Sequence, residues 1–356
     1  MGARCGARGV KTMKTMVVIA AIMLASVNAA AQVLDVGRLN TRQIAALDRS
    51  HTVVLLVGGI LEEHGPYLPI QSDAYQSEFV ASRIEAAVVA MPGWTVLRFP
   101  SIPLGTFGAN EIGGHFTFPG TFTVRTDTLR AVFMDLVDSI GASGFKTVVL
   151  VNLHGGPTHN AALDDATRYF NDTYAGRMLH VSGLAAVQGA VPRDVFTSAQ
   201  RSEEGVSPHA DGDEHSRILF LRPDTVAGDW KTAPPLVSRS MDDVVAIARR
   251  PDWPGYFGTP AIANAAAGSR GMNAIAQSAV DAVRRLLNGG EVGMLPRAAD
   301  QLAAALAPQH SGPAAPVTGS GTVPGDSAAP ASSGSSRVAC AALPRVSSRG
   351  SARGNP

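Results

Sequence analysis

Two carboxylates and a histidine follow the first strongly apolar segment of the chain. Residues 53–57 lack the alternation of a half-exposed strand, which predicts a strand buried on both faces of a parallel sheet. Glu62, His64 and Asp73 come after it in a loop rich in glycine and proline. First-row divalent metals bind such mixed sets, and ligands bind at the carboxyl ends of parallel strands. The stretch therefore indicates a metal site.

A second apolar run ends in another candidate ligand. Residues 146–151 predict a second buried strand, and His154 follows it at once. Gly155 and Gly156 come next, and glycines let a backbone approach a ligand closely. The strand ends of a parallel sheet lie at one edge, so His154 is expected near the first group of candidates.

The densest group of titratable residues lies at 208–216 and includes His209 and Glu214. Taken alone, such a run is more often a solvated face of the protein. Likewise, a solvated turn would explain the loop with Glu62, His64 and Asp73 as well as a metal site would. The position of this run after two strand-end candidates favours a site. Residues 101–121 form a long loop that contains His115, and long structureless loops in compact domains are usually functional.

The elements that must position these residues are predicted from periodicity. Apolar positions three and four apart predict helices, and short apolar runs predict strands. The predicted helices cover 74–89, 126–142 and 274–287, and a further one begins near Asn160. The other strand candidates are 94–99 and 179–184, where His180 is expected to be structural, and residues 194–207 are expected to form a mobile loop.

Composition fits one large α/β domain with tails. The 356 residues are 45% hydrophobic and 17% charged, which is enough to bury a full core. The formal net charge of +1 argues against nucleic acid as a partner, because no basic excess is present to neutralise phosphates. Cys5 and Cys340 lie near the two ends, so neither a core disulfide nor a thiolate metal site is expected.

Both ends of the chain differ from the middle. Residues 1–31 combine basic residues, a short apolar run and small residues, which is typical of a secretory signal peptide cleaved after Ala31. The run is too short for stable membrane insertion. Residues 306–356 are rich in Ala, Pro, Ser and Gly and are expected to be disordered. The main domain is thus placed at 32–305, in a protein that is expected to be exported and either periplasmic or secreted.

Four ordered motifs resemble those of the creatininase (creatinine amidohydrolase) family across about residues 34–287. The family's Glu-Gln-His-Gly-Pro-His-Leu-Pro-Leu, with Asp three positions further on, is similar to residues 62–73. Its histidine followed by Phe-Pro-Gly-Thr is similar to 115–121, and its Asn-Gly-His-Gly-Gly-Asn to 152–157. Its late His-Ala-Gly and Glu-Thr-Ser are similar to residues 209–216.

The resemblance implies a three-layer α/β/α sandwich around a mostly parallel sheet, with a binuclear metal centre. It implies that Glu62, Asp73 and His154 hold one ion. His64 and the bridging Asp73 would hold the other. Two divalent ions per subunit are expected, zinc first, with manganese or ferrous iron as alternatives.

The second set is one ligand short in this chain. Creatininase supplies a glutamate where this chain has Gly156, so we expect Glu214, at the position of the family's Glu-Thr-Ser, to complete the set. Asp211 and Asp213 border a glycine and are expected to be solvated.

The resemblance also implies the roles of the remaining candidates. His209 would carry the proton from the attacking water to the leaving nitrogen, and its alternative role is a histidine that only supports a ligand carboxylate. His115, Gly155 and Gly156 would bind substrate. No Gly-x-Ser-x-Gly elbow is present, which agrees with attack by a metal-activated water and not by a serine.

The predicted function is a secreted metal-dependent amidohydrolase. A metal-bound hydroxide would attack the carbonyl of a cyclic or small non-peptide amide, such as a creatinine-like ring, a formamide or a modified peptide. Creatinine itself is disfavoured, because tryptophans precede the late histidine in creatinine-cleaving relatives and residues 205–208 contain none. A binuclear metallophosphoesterase and a non-catalytic metal-binding homologue are the alternatives. The resemblance implies a homo-oligomer with a small-molecule amide as its substrate.

Overall fold

A computed structural model describes residues 32–298 and 300. Its centre is a five-stranded sheet in which neighbouring strands all pair in parallel. The strands are β1 (Gln32–Asp35), β2 (Thr52–Gly58), β3 (Thr95–Arg98), β4 (Thr147–Asn152) and β5 (Arg177–His180), arranged in the order β1-β3-β2-β4-β5. The predicted parallel sheet is confirmed, and β2 and β4, which precede the candidate ligands, are neighbours at its middle.

The α-helices are α1 (Thr41–Ala45), α2 (Ser72–Val89), α3 (Thr126–Ala142), α4 (Pro157–Tyr174), α5 (Ala185–Gln188), α6 (Ser198–Glu204), α7 (Gly212–Leu221), α8 (Met241–Ala248) and α9 (Ala265–Leu287). Helices α1 to α4 lie in the connections between strands, and α5 to α9 follow β5. The three predicted helices lie within α2, α3 and α9, and α4 begins three residues before Asn160.

The two faces of β2 explain why the fold has three layers. Its residues are buried throughout, and alternate side chains point to opposite faces. Val53, Leu55 and Val57 pack with α2 and α9 on one face. Val54 and Leu56 pack with α3 and α4 on the other. Each such side chain contributes about 1.5–3 kcal/mol when fully buried. Helices cover both faces of the sheet, so the predicted α/β/α sandwich is confirmed.

Three predicted elements differ from the structure: the strand predicted at 179–184 is β5 (Arg177–His180), and helix α9 and residues 194–207 also depart from the prediction. Helix α9 begins nine residues before the predicted start, across Gly268 and Gly271, which disfavour a helix by propensity. A Cβ on Gly268 would lie 1.8 Å from the carbonyl oxygen of Ser216 in α7, so this glycine permits close helix contact. The predicted mobile loop 194–207 is wrong, because half of it is α6, which begins with a capping box at Thr197.

The predicted signal peptide (1–31) lies outside the described residues, as does the predicted tail (306–356). Both therefore stay predictions. Among the described helices, none is both long enough and apolar enough to cross a bilayer.

Candidate metal centre

Close packing at the end of β2 brings the first candidate ligands to the start of α2. A Cβ on Gly58 would lie 2.6 Å from the carbonyl oxygen of Ile102, and one on Gly59 would lie 2.7 Å from the main-chain nitrogen of Ala74. Both positions therefore require glycine. The chain turns there against the first turn of α2, where Asp73 lies, and Asp73 thus meets the loop that carries Glu62 and His64.

Glu62, Asp73 and His154 form one buried group with ligand atoms within 4.8 Å of one another. His154 Nδ1 lies 3.0 Å from Asp73 Oδ2 and 3.2 Å from Glu62 Oε2. His154 follows β4, so the two central strands and α2 each supply one side chain. Three ligands of these types fit a catalytic divalent-metal site with an open position.

His64, Asp73 and Glu214 form a second group with the same spread of ligand atoms. His64 Nε2 lies 3.3 Å from Glu214 Oε1 and 3.7 Å from Asp73 Oδ1. Asp73 thus presents one oxygen to each group, which is the arrangement of a bridging carboxylate. Glu214 is in the first turn of α7 and is further fixed by hydrogen bonds from Gln76 Nε2 and the Ala210 main-chain N–H.

Both histidines present a bare nitrogen to two carboxylates. His64 Nδ1 lies 3.0 Å from the carbonyl oxygen of Glu62, and His154 Nε2 lies 2.9 Å from that of Phe107. A carbonyl can only accept, so these ring nitrogens carry the hydrogen and the others carry a lone pair. His64 Nε2 has no hydrogen-bond partner among the described residues. A lone pair between two carboxylate oxygens is repelled unless a proton or a cation lies there, so the donor sets fit metal ions.

The electrostatics of the metal-free protein show the same pattern. Burial lowers the pKa of His64, yet Glu214 and Asp73 raise it well above its usual value. Burial also lowers the pKa of His154, yet Glu62 and Asp73 raise it well above its usual value. Burial raises the pKa of Glu62, but His209 and His154 lower it to about 2. The raised pKa values of His64 and His154 show that positive charge is favoured between each histidine and its two carboxylates, which is where a divalent cation would bind.

His209 lies beside both groups. Its ring centroid is 4.4 Å from that of His64, and its Nδ1 is 3.9 Å from Glu62 Oε1. Its Nε2 donates to the carbonyl oxygen of Glu63 at 2.6 Å, which leaves Nδ1 as the nitrogen that can take a proton. Burial lowers its pKa, but Glu62 is the main cause of a rise to about 9.

Glu63 is a site residue that the sequence did not indicate. Its carboxylate is buried, with Oε1 3.6 Å from His209 Nε2 and without a hydrogen-bond partner in the described part of the chain. Its Oε2 accepts from the Gly65 main-chain N–H at 3.1 Å. A Cβ on Gly255 would lie 2.1 Å from that oxygen, so a glycine closes the turn over the carboxylate.

A segment of main chain orients the first ligand group. The ligand strap, which we define as residues 106–109, contributes the Phe107 carbonyl to His154 Nε2 and the Ala109 N–H to Glu62 Oε1 at 2.5 Å. Phe107 has a φ of +64°, a strained value for a residue other than glycine. Residues 101–121 were expected to be functional because of their length. Main-chain contacts leave no residue-type signal, so the strap itself was not predictable.

The predicted substrate-binding residues occupy different surroundings. Gly155 is exposed with open space at its Cβ position, whereas a Cβ on Gly156 would lie 2.6 Å from His154 Nε2. Gly156 therefore lets His154 and the strap pack together. His115 Nε2 contacts the carbonyl oxygen of Ala248 at 2.8 Å, and its ring stacks on Trp253. No substrate defines their roles, which stay predictions.

The expectation that Asp211 and Asp213 are solvated is wrong. Asp211 caps α7 by accepting from the Glu214 main-chain N–H at 2.8 Å, and both side chains are partly buried. Asp213 forms an ion pair with Arg217. Asp211 therefore fixes the turn that carries a candidate ligand, because a capping carboxylate satisfies a free helix N–H.

Comparisons with known proteins agree with this architecture. The sequence profile of the Creatininase family, described as creatinine amidohydrolase, matches residues 37–283. A mycofactocin precursor peptide peptidase of Mycobacterium tuberculosis is 27% identical over 263 residues, which are 70% of this chain and 92% of that protein. A creatinine amidohydrolase of Pseudomonas putida is 27% identical over 120 residues, 33% of this chain and 44% of that protein. A crystal structure of creatinine amidohydrolase is similar in fold, with a TM-score of 0.53, 21% identity and coverage of 70% of this chain and 96% of that one.

Proposed function

This chain belongs to the creatininase family, and from that premise we propose that it is a metal-dependent amidohydrolase with two divalent ions per subunit. The observation that carries the proposal is the pair of buried histidines whose bare nitrogens each face two carboxylates. Glu62, Asp73 and His154 would hold one ion, and His64, Asp73 and Glu214 the other. Asp73 would bridge them.

Divalent ions bound there supply Lewis acidity, which lowers the pKa of a water ligand towards 7 and polarises a substrate carbonyl. The chain itself supplies proton transfer. His209 Nε2 is committed to the Glu63 carbonyl, so Nδ1 is the atom that takes a proton and passes it to the leaving nitrogen. Ring contact with His64 and the nearby Glu62 carboxylate hold that nitrogen beside the metal groups.

We propose a C–N bond other than an ordinary exposed peptide bond as the substrate: a cyclic amide, a formamide or a modified peptide. The peptide peptidase and the creatinine amidohydrolase among the relatives support this class. Tryptophan residues Trp230 and Trp253 are buried, and residues 205–208 contain none, which again disfavours creatinine itself.

We propose zinc as the ion, with manganese or ferrous iron as alternatives, since the carboxylate and imidazole ligands suit all three. We also propose a homo-oligomer. Phe116 in the long loop and Phe122 directly after it are 82% and 63% exposed, which suits a surface covered by a second copy. Static light scattering of the purified protein gives the subunit number, and a monomer would contradict this part.

The test combines metal analysis with a substrate panel. Zinc, manganese and iron are counted per subunit, and turnover is measured on cyclic amides, formamides, modified short peptides and phosphoesters. Asp73→Asn removes the bridging charge with little change of shape and should lose both ions and activity. Asp165→Asn, which breaks surface ion pairs with Arg130 and Arg168, is the matched control and should keep both.

The outcomes separate the candidate functions. Metal-dependent turnover of an amide supports the proposal. Turnover of phosphoesters alone would instead identify a metallophosphoesterase. Two bound ions with no turnover across the panel would identify a metal-binding homologue, and two ions retained in Asp73→Asn would contradict the bridging arrangement.

A further inference from the structure

His159, in the first turn of α4, is a fully buried histidine that the proposed reaction does not use. Its ring meets the ring of His154 edge-on, with centroids 4.9 Å apart and an interplanar angle of 86°. Its Nδ1 lies 3.4 Å from the main-chain nitrogen of Thr106, the first residue of the ligand strap. One side chain therefore contacts both a metal-ligand candidate and the segment that orients it.

The hydrogen-bond roles at His159 follow from its partner. The Thr106 N–H can only donate, so Nδ1 carries the lone pair and the neutral ring carries its hydrogen on Nε2. That Nε2 is buried without a partner among the described residues. A buried donor without a partner costs stability, and an apolar ring would fill the same space without that cost. The feature that only the histidine provides is an acceptor for Thr106.

That acceptor acts at a strained point of the chain. Phe107 follows Thr106 directly, and its φ of +64° costs free energy unless neighbouring contacts hold it. Its carbonyl accepts the hydrogen of His154 Nε2 and so leaves His154 Nδ1 bare for an ion. Groups that hold a metal-binding histidine in one tautomer and orientation commonly change metal affinity about 10- to 100-fold when removed.

We propose that His159 is a positioning residue for the first metal group: by accepting the Thr106 N–H it holds the Phe107 carbonyl in place and thereby fixes the orientation of His154. This inference rests on the proposed function, because it assumes that His154 binds an ion. It concerns metal affinity and does not depend on which amide is cleaved.

The experiment measures zinc affinity by competition with a chromophoric chelator in the full-length chain. His159→Phe keeps a ring against His154 but removes the acceptor. His159→Asn loses the ring but places its amide oxygen near the position of Nδ1. His51→Phe makes the same chemical change at an exposed histidine far from the centre and is the control. The binding step that belongs to the first group is the one that Glu62→Gln abolishes.

We expect about a 10-fold or greater loss of first-group affinity in His159→Phe, and recovery to within about 3-fold of wild type in His159→Asn, although the smaller side chain lowers the melting temperature. The control should match wild type. Unchanged zinc affinity in His159→Phe would overturn the inference, and so would equal losses in both variants, which would indicate packing alone. Absence of zinc binding in the wild type would instead contradict the proposed function.

Discussion

Glu214 is the ligand candidate whose replacement has the most clearly defined structural consequence. Its Oε2 accepts from the Ala210 N–H, and its Oε1 faces His64 Nε2 at 3.3 Å. In Glu214→Gln the new NH₂ group meets a donor in either orientation, which is the Ala210 N–H at the Oε2 position or Gln76 Nε2 at the Oε1 position. The Oε1 position is favoured for the NH₂ group, because there it also donates to the lone pair of His64 Nε2 that an ion would otherwise take.

The expected effect is a selective loss of the second ion. The substitution removes one charged ligand and blocks another, so a 10- to 100-fold loss of affinity, equivalent to about 1.4–2.7 kcal/mol, is a minimum. Glu62 and His154 do not contact Glu214 in the structure, and their ion should remain. Activity should fall together with occupancy of the second site.

The assay is metal stoichiometry by plasma mass spectrometry after dialysis against a series of buffered free-zinc concentrations. Wild type should bind a second equivalent at concentrations where Glu214→Gln binds one. Glu203→Gln makes the same change at an exposed position and is the control. A second equivalent bound by Glu214→Gln with wild-type affinity and turnover would refute this ligand assignment and the tautomer argument behind it.

Four further predictions concern Asp73, His215 and the two ends of the chain. Asp73→Ala should lose both ions and reduce turnover more than any other single ligand change, and retention of two ions in plasma mass spectrometry would contradict this. Burial lowers the pKa of His215 from 6.5 to about 4, so the unfolded chain binds more protons between these values and stability falls as the pH drops through that window. The difference in unfolding free energy between pH 7 and pH 4 should therefore be about 3 kcal/mol smaller in metal-free His215→Phe than in metal-free wild type. Urea titrations measure this difference, and equal values in the two proteins would show that His215 is not the cause. The exported protein should begin at Gln32, and an N-terminal sequence that retains earlier residues would contradict this. Removal of residues 306–356 should leave the melting temperature and the metal content unchanged, and a large loss of melting temperature would contradict that expectation.

The sequence was sufficient for the elements whose signal is local. The apolar runs of β2 and β4 predicted buried parallel strands, and the residues that follow them predicted where a site would lie. Helix α9 shows the limit of this approach. Its two glycines lower helix propensity, and only the approach of α7 explains why they are helical. The error at residues 194–207 has a different origin, because the capping box of Thr197 and Gln200 is a local signal that the polar composition hid.

At the site, residue type and order identified groups that the structure brings together, but not the contacts that orient them. Glu62, His64, Asp73, His154 and Glu214 were all chosen from motif positions, and their ligand atoms lie in two clusters. Glu63 and His159 were not chosen, because a buried carboxylate and a buried histidine look the same in sequence as exposed ones. Asp211 was misjudged for the same reason, since its capping role depends on a bond within α7.

The ligand strap has a consequence for how this fold can change its specificity. It orients Glu62 and His154 through a main-chain amide and a main-chain carbonyl. Every residue type offers both groups, except that proline lacks the amide hydrogen. The side chains of Phe107 and Ala109 can therefore be exchanged while the ligands keep their orientation, whereas Gly105 and Gly108 leave no room for a Cβ. Variation at these two positions can change the surroundings of the first ligand group during evolution, and an engineer can randomise them for new amides, without rebuilding the metal centre each time.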